Sequence, residues 1–187
     1  MKRKNILVLC EAALMVAAAY ALSFVKVPIG LAFGGFGGSI DFVMVPLLVL
    51  AVRHGGLWGL GAGLCFGTLK FFGAGGMAVN WQSMLLDYSL AYMAVGVAGF
   101  FGKKLGVKGL ALTALIGCLA RFGIHYLSGV TIYAQYMPEE FFGLTMTNAP
   151  FYSILYNGSY MLPNTVIAVL CMALAQKPLQ AFLTPQE

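Results

Sequence analysis

Residues 109–128 read GLALTALIGCLARFGIHYLS. Coiled as a helix at 1.5 Å per residue, the stretch is about 30 Å long, which is the thickness of a bilayer's hydrocarbon core. It carries one Arg, one His and no acidic residue. Working outward and breaking the apolar runs at Gly, Pro and charge clusters gives five more such segments. The predicted spans are residues 5–25, 39–52, 56–72, 81–101, 109–128 and 150–175. The second is short, so tilting, a re-entrant path or shielding by neighbours is expected of it.

Composition agrees. Of 187 residues 60% are hydrophobic and 9% charged, and the mean hydropathy is +0.87. A soluble surface needs roughly a quarter of its positions charged, so a water-soluble globule is excluded. The runs lack the period-two alternation of an outer-membrane barrel. The net charge of +5 sits in the breaks between runs, not in one stripe, so no nucleic-acid partner is expected. The predicted fold is an all-α integral membrane protein, one domain of six transmembrane helices over residues 1–187, with lipid around it. Lys2, Arg3 and Lys4 ahead of an apolar stretch imitate a secretory signal, but the stretch is long enough to span and is read as a retained first helix.

Cationic loops mark the cytoplasmic side. With the N-terminus inside, the inner segments hold Lys2, Arg3, Lys4, Arg53, Lys103, Lys104, Lys108 and Lys177, whereas the outer side holds Lys26 and Lys70 beside Glu139 and Glu140. Both termini are therefore expected in the cytoplasm. The outer connections are residues 26–38, 73–80 and 129–149. Cys10, Cys65, Cys118 and Cys171 show no metal-ligand or Cys-x-x-Cys spacing and read as buried fillers, with no metal and no cofactor implied. Small residues recur every fourth position as Gly55, Gly59, Gly63 and Gly67 and as Ala13, Ala17 and Ala21, a spacing that lets helices approach closely in lipid. The Gly set is expected to pack within the chain; the Ala set can do the same or dock a separate membrane subunit.

Polar groups at bilayer depth are costly and mark candidate sites. Asp87 follows Trp81 by six positions, about 9 Å along a helix, and Tyr88 follows by seven, which places it on Trp81's face. Arg121 and His125 are four apart and share a face. Tyr152, Tyr156 and Asn157 open the last span. Aromatic faces attract cations through the ring quadrupole, and a desolvated carboxylate selects positive charge. An outward-facing pocket holding Trp81, Asp87, Tyr88, Arg121, His125, Tyr133, Tyr152 and Asn157 would suit a small, flat, heteroaromatic cation. Two blander arrangements stay open: an Asp87–Arg121 ion pair, and belt positions for Trp81, Tyr133 and Tyr136. Glu11 reads as interfacial.

The ordered set Glu11-Ala12-Ala13, Gly38-Ser39-Ile40 with Met44 and Pro46, Leu86-Asp87-Tyr88, His125-Tyr126-Leu127-Ser128-Gly129-Val130, and Tyr152 with Tyr156-Asn157-Gly158-Ser159-Tyr160 and Pro163 resembles the thiamine-specific S components of energy-coupling factor transporters. The resemblance implies a multi-pass subunit of a bacterial cell membrane that binds thiamine on the extracellular side. It implies delivery through a transmembrane coupling subunit and two cytoplasmic ATPases, and no enzymatic activity. It places the ligand at Asp87, Tyr88, His125, Tyr133, Tyr152 and Asn157, with Asp where the family carries Glu and Tyr133 where it carries Trp. It also implies a gate in residues 26–38, with Gly34, Gly35, Phe36 and Gly37 in it, where Gly34, Gly35, Gly37 and Gly38 supply flexible backbone suited to a lid or else form a fixed turn, and coupling-subunit contact at Ala13, Ala17 and Ala21. The chain has no G-x-x-x-x-G-K-[ST] loop, so energy would come from a partner. The rival readings are an S component for another vitamin, a stand-alone facilitator, and an intramembrane hydrolase using Ser128 or Ser159 with His125.

Overall fold

The structure, a computed structural model, describes residues 3–105, 109–178 and 180–183. Lys2 and Lys108, two of the cations behind the expected orientation, lie outside the described residues. Helix α1 is Arg3–Leu22 and a short α2 is Ile29–Ala32. Next come α3, Met44–His54, and α4, Gly56–Gly73. The following pass is broken: α5, Trp81–Met84, runs through a π-helical turn, Leu85–Leu90, into α6, Ala91–Val95, and α7, Ala98–Leu105. Then come α8, Leu110–Thr131, a 3-10 turn, Tyr133–Tyr136, and a small hairpin of β1, Glu140–Phe141, and β2, Leu144–Thr145. Helix α9, Ala149–Leu174, and a short α10, Gln180–Leu183, are the last described elements.

Among the described residues four stretches are long and apolar enough to cross a membrane: Asn5–Leu22, Trp81–Gly102, Leu110–Thr131 and Ala149–Leu174. Their outer faces leave Leu14, Leu162 and Leu174 more than two-thirds exposed, which only a lipid surround makes favourable. Eleven-residue α3 is different: Met44 and Pro46 through Val52 are all buried. An element apolar on every side belongs in the interior, and α1, α4, α7, α8 and α9 all pack on it. Shielding, among the expected options, therefore explains its length. Residues 39–42, expected to be helical, instead run extended, with Ile40 bridged to Val27.

Glycines bring α4 against the broken pass. A Cβ on Gly63 would strike the carbonyl of Tyr92, and one on Gly67 that of Tyr88, so this stripe is spent on packing within the chain. The Ala stripe is not. On α1 the core takes Ala12, Val16 and Ala19, while Ala13, Ala17 and Ala21 are exposed. Glu11 is not a bare interfacial charge, because Arg53 donates to it from Nε at 2.6 Å and from Nη2 at 3.0 Å, and His54 Nε2 lies 2.6 Å away. These bonds tie α1 to the end of α3. The cysteines divide: Cys118 is buried, Cys171 is half-buried, and Cys10 and Cys65 are exposed rather than buried fillers.

Candidate functional site

The site begins at the π turn. Asn80 caps α5 by accepting from Ser83 N at 2.8 Å, while Ser83 Oγ accepts from Asn80 N at 3.2 Å. From Leu85 to Leu90 the backbone bonds run to the fifth residue rather than the fourth, which inserts an extra residue and rotates the rest of the pass. Trp81 and Tyr88 consequently do not share a face. Trp81 is 67% exposed and takes no part in walling the cavity. Tyr88 turns inward, accepting from Met77 N at 2.7 Å and donating to Met77 O at 3.2 Å. It thereby pins the outer loop after α4.

Asp87, held by the same turn, meets α8. Its Oδ1 lies 3.0 Å from His125 Nδ1, and its Oδ2 accepts from Ser128 Oγ at 2.8 Å. Arg121, His125 and Ser128 occupy positions i, i+4 and i+7, one face of α8, and all three are buried. The alternative Asp87–Arg121 pair is not formed. Arg121 instead stacks its guanidinium 4.1 Å over the Tyr92 ring and donates from Nη2 to the Tyr92 hydroxyl at 3.0 Å.

Helix α9 supplies the facing wall. Its start is set by Asn148, whose side chain accepts from Phe151 N at 2.9 Å, followed by Pro150 in the first turn. Asn157 Nδ2 donates to His125 O at 3.2 Å and to Ser153 O at 3.0 Å, while its Oδ1 accepts from the Tyr160 hydroxyl at 2.5 Å. Tyr152, Tyr156 and Tyr160 follow one another at four-residue spacing, adjacent ring centroids lying 5.6 and 6.1 Å apart.

Above these helices lies the loop of residues 26–38. The Tyr156 hydroxyl donates to Gly37 O at 2.6 Å. Phe36 sits with its ring centroid 5.4 Å from that of Tyr133 and 5.0 Å from that of Tyr136. Tyr133 belongs to the 3-10 turn beyond α8, and burial pushes its phenol up to about 12, so the ring stays neutral. At the loop's root Lys26 Nζ donates to Ala74 O at 2.9 Å.

The result is a cavity of about 130 Å³. Asp87, Tyr88, Arg121, His125, Tyr133, Tyr152 and Asn157 line it, with Phe36 and Gly37 above; Gly34 and Gly35 do not. Seven of the chain's nine tyrosines are in its walls: Tyr88, Tyr92, Tyr133, Tyr136, Tyr152, Tyr156 and Tyr160. Asp87 is the sole carboxylate among the lining residues.

Sequence reading missed the floor. Lys70, expected on the outer surface, is 6% exposed within α4. Its Nζ donates to Asp41 Oδ2 at 2.9 Å and to the Tyr92 hydroxyl at 2.6 Å. Asp41 also accepts from Ser39 Oγ at 3.0 Å, and its backbone N–H donates to Asn164 Oδ1 at 2.9 Å. A signal existed: Lys70 is a cation in an apolar helix, which requires a partner in lipid. Tyr156 is visible among the polar residues that open the last span and Tyr160 only in the resemblance motif, and the sequence shows the hydrogen bonds of neither.

Chemically, the arrangement binds rather than reacts. Ser128 Oγ donates to Asp87 and Ser159 Oγ to Tyr156 O at 2.7 Å, so neither serine rests on the His125 ring as a nucleophile would. Among the described residues no group of His, Cys, Asp and Glu could hold a metal ion.

The chain matches the model of the family described as thiamine transporter protein over residues 9–183. It is 29% identical over 193 residues to the thiamine transporter ThiT of Bacillus subtilis (strain 168), covering 94% of each chain. To the thiamine transporter ThiT of Lacticaseibacillus paracasei it is 28% identical over 183 residues, covering 90% of this chain and 86% of that one. A solved structure of ThiT from Listeria monocytogenes superposes with a TM-score of 0.81 at 27% identity, covering 98% of this chain and all of the other.

Proposed function

This chain belongs to the thiamine transporter protein family, and on that premise we propose that its cavity captures thiamine from the extracellular side. It is a multi-pass bacterial membrane protein and not an enzyme. The observation that carries the ligand reading is the lone wall carboxylate, Asp87, set among seven tyrosine rings. The thiazolium ring of thiamine bears a permanent positive charge, which a half-buried carboxylate and the faces of aromatic rings both attract. The flat aminopyrimidine can stack between rings, and Asn157 and His125 offer polar groups at its edge. Asp87, Tyr88, Arg121, His125, Tyr133, Tyr152 and Asn157 are the proposed contacts, and Trp81 is left out of them on account of its exposure.

The proposed transport role is that of the capture subunit of an energy-coupling factor importer. In it six passes bring both termini to the cytoplasm, the loop of residues 26–38 gates the cavity, and a coupling subunit with two ATPases supplies the energy. Two features support it: the chain has no phosphate-binding loop of its own, and Ala13, Ala17 and Ala21 form a small-residue face left uncovered. Isothermal titration of the purified protein with thiamine tests the ligand, with saturable one-to-one binding expected. Absence of binding, or equal binding of unrelated cationic heteroaromatics, would overturn the reading. Uptake of labelled thiamine by cells with and without the ATPase subunits tests the energising partners; uptake in their absence would make the protein a facilitator.

A further inference from the structure

The loop of residues 26–38 is fixed at its root by mutual backbone bonds between Val27 and Ile40, at 3.0 and 2.9 Å, and by Lys26 on Ala74. Toward its tip a different kind of contact holds it. The Tyr156 hydroxyl donates to Gly37 O at 2.6 Å. A Cβ at Gly35 would run into the Tyr156 ring, and one at Gly30 would run into its hydroxyl and into the Gly37 carbonyl. The loop therefore lies on this tyrosine through bare backbone. On its other side the same ring is a wall of the ligand cavity, with the centroid of Tyr152 5.6 Å away and that of Phe141 5.8 Å away.

We propose that Tyr156 is a positioning residue that latches the loop to the cavity, so that a ligand stacked against its ring also holds the loop shut and slows its own release. The physical basis is that one rigid side chain makes both contacts. Tilting the ring to let the loop rise breaks the bond to Gly37 and disturbs whatever is stacked on its face. Conversely, a stacked ligand narrows the ring's motion and so keeps its hydroxyl within reach of the carbonyl. This rests on the thiamine reading for the identity of the cargo, but the latch itself is a property of the chain.

Tyr156→Phe keeps the ring and removes only the hydroxyl. The loss of one neutral hydrogen bond corresponds to an effect of about 2- to 10-fold. Two measurements test the proposal. In ligand-free protein, hydrogen exchange at the amides of Gly30 and Gly35 is expected to quicken by that factor, while exchange in α3 stays as in the wild type. In thiamine-loaded protein, chase of labelled thiamine is expected to show release quickened by a similar factor, with association unchanged or faster. Gly35→Ala, which pushes the loop off an intact Tyr156, is expected to act in the same direction, and the double variant to do no more than the larger single one. Unchanged loop exchange in Tyr156→Phe overturns the latch. Faster exchange with wild-type release overturns the coupling. The exchange arm needs no ligand, so failure of the latch and failure of thiamine as cargo are read separately.

Discussion

Asp87→Asn removes one negative charge and little else. The carboxylate's Oδ1 lies 3.0 Å from His125 Nδ1 and its Oδ2 accepts from Ser128 Oγ at 2.8 Å. An amide of the same shape keeps both contacts: its oxygen accepts from the His125 ring, and its NH2 donates to the serine oxygen. Folding should be nearly unaffected, with the thermal midpoint in detergent close to wild type. The ligand loses more. A thiazolium about 5 Å from the carboxylate, at an effective dielectric near 20, is worth roughly 3 kcal/mol, which is on the order of 200-fold in Kd. The dielectric is the right order here because the Asp87 side chain is 17% exposed rather than sealed. Titration calorimetry on both proteins measures the ratio directly. A thiamine analogue whose five-membered ring is uncharged supplies the control and should bind the two proteins within a few-fold of one another. Thiamine affinity in the variant within threefold of wild type would refute the charge argument. An equal loss for thiamine and the neutral analogue would refute it too, since the carboxylate would then act as a hydrogen-bond acceptor only.

The floor offers a second test. Asp41→Asn should destabilise the protein by about 3 to 5 kcal/mol, because it leaves the buried Lys70 charge without its carboxylate. The double variant Asp41→Leu with Lys70→Met should lose less, and thermal unfolding of the two compares them. Ala17→Leu, on the exposed face of α1, should bind thiamine like the wild type yet lose uptake in cells if that face meets a coupling subunit; wild-type uptake would remove the face from the docking surface. Tyr133, raised by burial to about 12 from an ordinary value of 10, keeps its proton in the folded state where the unfolded chain loses it only above pH 10. Its contribution to stability is therefore complete below pH 10 and is lost as the pH rises toward 12. Tyr133→Phe should flatten that part of the thermal midpoint's pH profile, and an unchanged profile would place the titration elsewhere.

The helices were legible because their lengths are fixed by the bilayer. The span expected at residues 109–128 is α8, Leu110–Thr131, and that expected at 150–175 is α9, Ala149–Leu174. Regular periodicity also placed Arg121 and His125 on one face of α8. Reasoning from period failed where the period itself changes. Extrapolating a 3.6-residue helix from Trp81 puts Tyr88 beside it, but the π turn at Leu85–Leu90 intervenes, and no residue type in LLDYSL announces it. The start of α3 was misjudged for a related reason. The stretch from Ser39 to Phe42 reads Ser-Ile-Asp-Phe and runs straight into an apolar segment, yet its backbone bonds go to Val27 and Asn164, partners more than ten and more than a hundred residues away. The Lys70–Asp41 pair was hidden likewise: each residue taken alone sits near a predicted boundary, and their distance is set by how α4 packs on α3.

Two buried cations in the wall of a cavity meant for a cation would be self-defeating if their charge reached the ligand unopposed. The structure separates them. Lys70 is compensated by Asp41, which lies behind the wall, and Arg121 is spread over the face of Tyr92 and bonded to its hydroxyl. Asp87, by contrast, is presented at the wall, with His125 and Ser128 as its only hydrogen-bond partners among the described residues. The charges of the site are therefore held apart, with the wall carboxylate at the π turn and the two cations at the floor, one of them paired with a carboxylate. A ligand carrying its charge on one ring is oriented by that separation before any shape-specific contact forms. The π turn matters to function because it carries both Asp87 and Tyr88, and both stand in the cavity wall.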